Sequence, residues 1–209
     1  LFLASAGGRL PLLPNRPEVR RLTGAENAEE GACWHPSGNR IFYAASSGPD
    51  EPYNLYALKP GGGSPQKLTR GGGQMPACSP DGRFLAFSAR RDGRPHIYVL
   101  RLGAEGGKPD VAALTHGPGI DVFPAWSRDG RRIYFVRYPR DHNRDGRVDE
   151  GDVPSIFSVA FTSEVFGGTT DPAPVRQLTS GRFRDTAPRA VPGGFLFVNE
   201  RGEDRGGAA

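Results

Sequence analysis

The sequence predicts an all-β fold, a β-propeller built from four-stranded antiparallel blades, on three observations. One phrase occurs four times: Gly31-Ala-Cys-Trp-His-Pro-Ser-Gly38, Pro76-Ala-Cys-Ser-Pro-Asp-Gly82, Pro124-Ala-Trp-Ser-Arg-Asp-Gly130 and the worn copy Pro188-Arg-Ala-Val-Pro-Gly-Gly194. Each copy runs into a short apolar stretch, at 41–44, 84–87, 133–136 and 195–198. A second phrase, Leu-Thr, closes each unit at Leu22-Thr23, Leu68-Thr69, Leu114-Thr115 and Leu178-Thr179, 46, 46 and 64 residues apart. Short apolar runs and turns repeating every ~40–45 residues are the mark of stacked propeller blades.

The copy from Gln74 to Thr115 shows the scheme. Its first strand is 75–79, entered through Pro76 as a strand entrance. The turn is Pro80-Asp81-Gly82, in which Pro sets φ and Gly accepts positive φ. The second strand is 83–88, followed by a hairpin loop at 90–94 and the third strand at 96–100. A glycine-rich loop, 103–109, leads to the fourth strand at 111–115. Third strands recur at 54–58 and 155–159, and fourth strands at 66–69 and 175–179. Leu1-Phe-Leu-Ala matches the second-strand runs, so the N-terminal unit is expected to begin there. The chain therefore divides into a partial blade 1–23, full blades 24–69, 70–115 and 116–179, and a partial blade 180–209. Three full and two partial blades read as part of a larger ring. Four-blade closure is the alternative, and it would leave one second strand redundant.

Composition narrows the function. With 30 Gly and 20 Pro among 209 residues, the punctuation falls between regular apolar runs and reads as turns. The net charge is only +4 and the arginines are scattered, which argues against a nucleic-acid partner. No apolar run approaches the roughly 20 residues of a membrane span, and Leu1-Phe-Leu-Ala-Ser is too short for a signal peptide. Cys78 falls in the column of Trp34 and Trp126, and Cys33 in that of Ala77 and Ala125. Successive strand side chains point to opposite faces. The two thiols are therefore expected to face apart, with no disulfide between them.

One motif carries chemistry. Between the second and third strands of the third full repeat lies an insertion, residues 141–152, with the spacing of an EF-hand calcium loop. Asp141, Asn143 and Asp145 stand at positions 1, 3 and 5, and Gly146 stands at the sharp turn. Arg147 offers a backbone carbonyl, Val148 is an apolar anchor, and Asp149 and Asp152 follow at positions 9 and 12. Hard oxygens at alternating positions let a short loop wrap one Ca²⁺. Asp152 in place of Glu resembles dockerin-type loops. Strands flank the loop where an EF-hand has helices, so a structural Ca²⁺ staple is expected rather than a sensor. No Gly-x-Ser-x-Gly elbow, zinc helix or phosphate loop is present. The four histidines, His35, His96, His116 and His142, are dispersed in sequence.

The phrase Trp-Ser-Pro-Asp-Gly, an apolar strand, Ile-Tyr and then Leu-Thr resembles the WD40-like repeat of TolB-type β-propeller proteins, over nearly the whole chain. Cys78 in place of Trp and the worn fourth copy are the departures. The resemblance implies that the Trp-bearing strand lies nearest a central channel and that partners meet the channel mouth. Asp121 and Asp185 share a column in the loops entering their blades and are candidates to line that mouth; Asp also caps loop amides. The resemblance further implies a non-catalytic binding or scaffold module for a protein or peptide partner, in a bacterial periplasm or at the cell surface. Two alternatives stand. One is the gating propeller of a prolyl-oligopeptidase-like serine hydrolase whose catalytic domain lies outside this chain. The other is a hydrolase or lyase that uses the channel mouth directly.

Overall fold

A computed structural model describes residues 1–4, 19–24, 28–91, 93–103, 110–168 and 173–200. The described residues form five antiparallel sheets in sequence order, three of four strands and two of two. β1 (Phe2–Ala4) and β2 (Val19–Arg21) make the N-terminal half-blade. Blade I is β3 (Ala28–Trp34), β4 (Ile41–Ser46), β5 (Asn54–Leu58) and β6 (Gln66–Lys67). Blade II is β7 (Gln74–Cys78), β8 (Phe84–Arg90), β9 (Pro95–Arg101) and β10 (Asp110–Ala113). Blade III is β11 (Ile120–Trp126), β12 (Arg132–Tyr138), β13 (Ser155–Ala160) and β14 (Arg176–Gln177). β15 (Arg184–Val191) and β16 (Gly194–Glu200) form the C-terminal half-blade. The expected loop 103–109 and the polar tail 201–209 lie, apart from Gly103, outside the described residues.

The recurring phrases have identifiable jobs. In Ser-Pro-Asp-Gly, the Gly82 amide donates to the Ser79 carbonyl at 3.0 Å, and Gly82 has φ of 71°. The Ser79 hydroxyl donates to Asp81 at 2.6 Å and accepts from the Phe84 amide at 2.9 Å. Ser127, Asp129 and Arg132 repeat this arrangement. In Leu-Thr, the leucine amide bonds back to the third strand and the threonine hydroxyl accepts from an amide near that strand's start. Thr69 takes Leu55, Thr115 takes Ile97 and Thr179 takes Ile156, at 2.9, 2.9 and 3.0 Å.

That same pattern corrects the assignment of Leu1-Phe-Leu-Ala. Leu22 donates to the Leu1 carbonyl at 2.8 Å, as Leu68 does to Leu55 at 2.7 Å and Leu114 to Ile97 at 2.8 Å. Residues 1–4 are therefore a third strand, not a second. Both strand types are apolar runs, and the backbone partner distinguishes them. The half-blades thus hold strands three and four at one end and strands one and two at the other, with no redundant copy. Among the described residues these half-blades do not pair with each other.

Each first strand carries a bulge against its second, after Glu30, Gln74, Val122 and Thr186. The next residue is left-handed in all four: Gly31, Met75, Phe123 and Ala187, with φ between 48° and 53°. Pro76, Pro124 and Pro188 follow it. They sit inside their strands at the irregularity rather than at the strand start, because a bulge needs no ladder N–H there.

The core lies between blades. Phe42, Leu55, Leu85, Phe87 and Tyr98 fill the gap between blades I and II. Phe84, Ile97, Val99, Trp126, Phe135 and Phe157 fill the gap between blades II and III. Adjacent blades therefore meet through opposite faces of their sheets. Cys33 and Cys78 do point to opposite faces, as expected. Because they belong to neighbouring blades, those faces look at each other, and the two residues form a disulfide with Cα atoms 6.0 Å apart. The expectation of separate thiols is overturned by the stacking of sheets, not by the alternation within one.

The disulfide closes a 45-residue separation, so the chain-entropy model assigns it about 4 kcal/mol. Cys33→Ser/Cys78→Ser is expected to lower the unfolding free energy by an amount of that order, read from urea melts beside the wild type. Thiols that label freely in the folded, unreduced protein would refute the bond.

Candidate functional site

Two acidic residues of the first strands, Asp121 and Glu29, meet the threonine of the preceding blade's Leu-Thr phrase. Asp121 lies on β11 within blade III and is fully buried. Its carboxylate accepts from Thr115 at 2.6 Å and contacts His96 Nδ1 at 3.2 Å, both of blade II. Arg137 closes the set with two N–H bonds, at 2.6 and 2.8 Å. The Asp121 carbonyl also accepts from the Ser88 hydroxyl at 2.8 Å. Burial works against ionisation of Asp121. The bonds from Arg137 and His96, the Arg137 charge and the Thr115 hydroxyl outweigh it and hold the carboxyl below its usual range.

Asp185, at 3 % exposure on β15, accepts from Asn199 at 2.6 Å. Glu29 fills the same column one blade from the N-terminus and accepts from Thr23 at 2.8 Å. Blade II has Gly73 there, where a Cβ would lie 2.7 Å from Leu55. Asp121 and Asp185 thus lie within strands and are buried, not in open loops at the mouth. The structure gives Asp121 the work of tying one blade to the next. His96, Thr115 and Arg137 were not singled out from the sequence. The Thr column was visible there, but its partner across the blade gap was not.

The insertion 141–152 leaves blade III between β12 and β13. Its carboxylates are drawn inward by backbone amides. Asp141 accepts from Asp145 and Gly146 at 3.2 and 2.8 Å, and Asn143 Oδ1 from Asp145 at 3.0 Å. Asp145 accepts from Arg147 at 2.9 Å, and Asp149 from Gly151 at 2.7 Å. Asp152 is fully buried and accepts from His142, Asn143 and Asp149 at 2.6, 3.2 and 3.0 Å. Burial opposes its ionisation, but these three amides prevail and keep it below its usual range. Gly146 has φ of 87°, as the sharp turn requires. Val148 packs on the cluster between blade III and the C-terminal half-blade. Arg184 holds the loop's end by donating to the carbonyls of Asp152 and Glu150, at 2.6 and 3.0 Å. The donor chemistry is that of a hard cation. Among the described residues, however, no group of three or more His, Cys, Asp or Glu side chains gathers as a metal ligand set.

At the opposite end of the first strands, where the Pro-Asp-Gly turns lie, the strands of blades I to III and β15 surround a cleft of about 430 Å³. Trp34, Pro80, Trp126, Arg128 and Arg189 are among its lining. The Trp126 indole N–H donates to the Ala77 carbonyl of blade II at 2.9 Å. This ties the first strands of blades II and III to each other.

No protein-family model matches the chain. An uncharacterised protein of Agrobacterium fabrum is 29% identical over 169 residues, covering 75% of this chain and 54% of its own. A TolB homologue of Chlorobium luteolum is 27% identical over 167 residues, covering 78% of this chain and 32% of its own. The chain thus spans about half the length of the first relative and a third of the second. The crystal structure of TolB from Acinetobacter baumannii superposes with a TM-score of 0.64 at 21% identity, over 91% of this chain and 41% of that one. A prolyl endopeptidase structure gives 0.51 at 18% identity, over 85% and 27%. No helix among the described residues is long and apolar enough to cross a membrane. The chain has a TolB-like propeller fold.

Asp121→Asn is expected to cost on the order of 3 kcal/mol, because it leaves Arg137 facing a neutral partner in a buried tie. The native Asp121 pKa is depressed, so its stabilisation is complete above the unfolded value near ~3.9 and is lost as pH falls below it. Urea melts from neutral pH down to about pH 3 should show this loss in the wild type and a smaller one in the variant. Identical pH dependence in the two proteins would remove Asp121 from the account.

Proposed function

We propose that the chain is a non-catalytic TolB-like propeller module that binds a protein or peptide partner, braced by a structural Ca²⁺. The observation that carries the partner reading is the cleft among the first strands, along which Trp34, Pro80, Arg128 and Arg189, one from each of four sheets, are exposed. At the other end, the buried Asp121 carboxylate is consumed in tying blade II to blade III. A disulfide between blades suits an oxidising compartment, and with the TolB likeness it supports a periplasmic location. The test is affinity capture from a periplasmic extract, followed by titration of each captured protein after purification. A saturable one-to-one complex is expected. Failure of every purified candidate to bind would sink the reading.

The prolyl endopeptidase likeness favours a second reading, a propeller that gates a serine hydrolase. It requires an α/β segment with a Ser elbow in the parent gene. Sequencing the flanking gene decides it, and a parent without that segment ends it.

Ca²⁺ would be held by Asp141, Asn143, Asp145, the Arg147 carbonyl, Asp149 and Asp152. Bound there, it would neutralise the clustered carboxylates and fix the insertion to blade III. Calorimetric titration of chelator-treated protein is expected to give about one Ca²⁺ per chain and a raised melting temperature. Asp145→Ala should abolish the heat signal, and unchanged affinity in that variant would reject the assignment.

A further inference from the structure

Both tryptophans of the chain, Trp34 and Trp126, line the cleft at the turn end. So do two arginines, and no carboxylate is among the described lining residues. Each arginine is a departure from the repeated phrase. Arg128 stands where the three other copies have Pro36, Pro80 and Pro192, and Arg189 stands where two have Ala77 and Ala125. Both are exposed, and neither makes a hydrogen bond or ion pair through its side chain among the described residues. The nearby turn acids are already committed, Asp81 to Ser79 and the Arg83 amide, Asp129 to Ser127 and the Arg131 amide. Two guanidinium groups without a partner among the described residues therefore line one concave space whose remaining walls are prolines, alanines, indole, the Cys33–Cys78 pair and Ser127.

We propose that this cleft binds an acidic peptide segment, with Arg128 and Arg189 taking its carboxylates and Trp34 and the prolines taking its apolar side chains. This rests on the partner-binding reading above and names the chemistry of the partner. A guanidinium pairs a carboxylate through two parallel N–H bonds, which gives both strength and orientation. Two cations in a cleft of about 430 Å³ suit a short extended chain. A nucleic acid would need a longer basic track along its phosphates. The apolar walls lower the local dielectric and strengthen each charge pair.

The tryptophans make the test direct. The folded chain is titrated with a hexapeptide alternating Glu and Leu, and separately with the same peptide carrying Gln for Glu, while tryptophan emission is followed. A saturable change with the Glu peptide is expected, with affinity at least tenfold weaker for the Gln peptide. Arg128→Glu/Arg189→Glu should weaken the Glu peptide at least tenfold as well. Arg128→Gln/Arg189→Gln, checked for a wild-type melting temperature, should lose most of the affinity without reversed charge. No saturable change, equal affinity for the two peptides, or variants that bind as well as the wild type would overturn the proposal. A single-stranded oligonucleotide binding more tightly than the Glu peptide would overturn it too. If the arginine variants keep full affinity for a captured protein partner, the partner-binding reading stands and this cleft is not where it acts.

Discussion

The structure depends on one constraint: a sheet has two faces, and in a row of stacked sheets each face must be covered by the opposite face of its neighbour. β4 and β8 are buried through almost their whole length for this reason. Phe42 and Leu55 look one way to meet Leu85 and Phe87, while Phe84 and Ile97 look the other way to meet Phe135 and Phe157. Apolar burial at ~25 cal/mol per Å² supplies the drive. It is non-directional, however, and does not set the spacing or tilt of one blade on the next. That falls to the polar ties: the Thr115–Asp121–Arg137 set, the Trp126 indole on the Ala77 carbonyl, the His35 ring on the Gly82 carbonyl at 3.0 Å, and the Cys33–Cys78 bond.

The bulges link this packing to the cleft. In each first strand a left-handed residue re-aims the strand before its last residues reach the turn. Bulky residues in that region are strained, yet Met75 and Phe123 occupy it. At Gly31 a Cβ would lie 3.3 Å from the Met75 Cα atom of the next blade. The close approach of neighbouring first strands thus explains why one copy has glycine. Burial divides the inner strands into two ends with different work. One end buries Asp121 and Asp185, and the other, though tied across blades by Trp126, His35 and the Cys33–Cys78 bond, keeps Arg128, Arg189 and Trp34 exposed.

The insertion fits the same logic. Its anchor, Val148, joins the apolar layer between blade III and the C-terminal half-blade, and Arg184 of that half-blade holds its last carbonyls. A long excursion at a strand junction is thereby fixed at both a packing point and a hydrogen-bonded one, with its carboxylates turned toward its own amides.

The repeated phrases were enough, by themselves, to determine the three four-stranded blades, the strand order within each of them and the Ser-Pro-Asp-Gly turns. Each of these is set by local alternation, turn chemistry and short-range hydrogen bonding, which a linear sequence carries. Tertiary structure decided what depends on neighbours. It made the Cys33–Cys78 pair, because stacking brings opposite faces together. It placed Leu1–Ala4 as a third strand, because its identity lies in the partner of Leu22. It buried Asp121 behind Thr115 and gathered Arg128 and Arg189 into one cleft, because residues 61 positions apart in the chain meet only when successive blades stack with their first strands side by side.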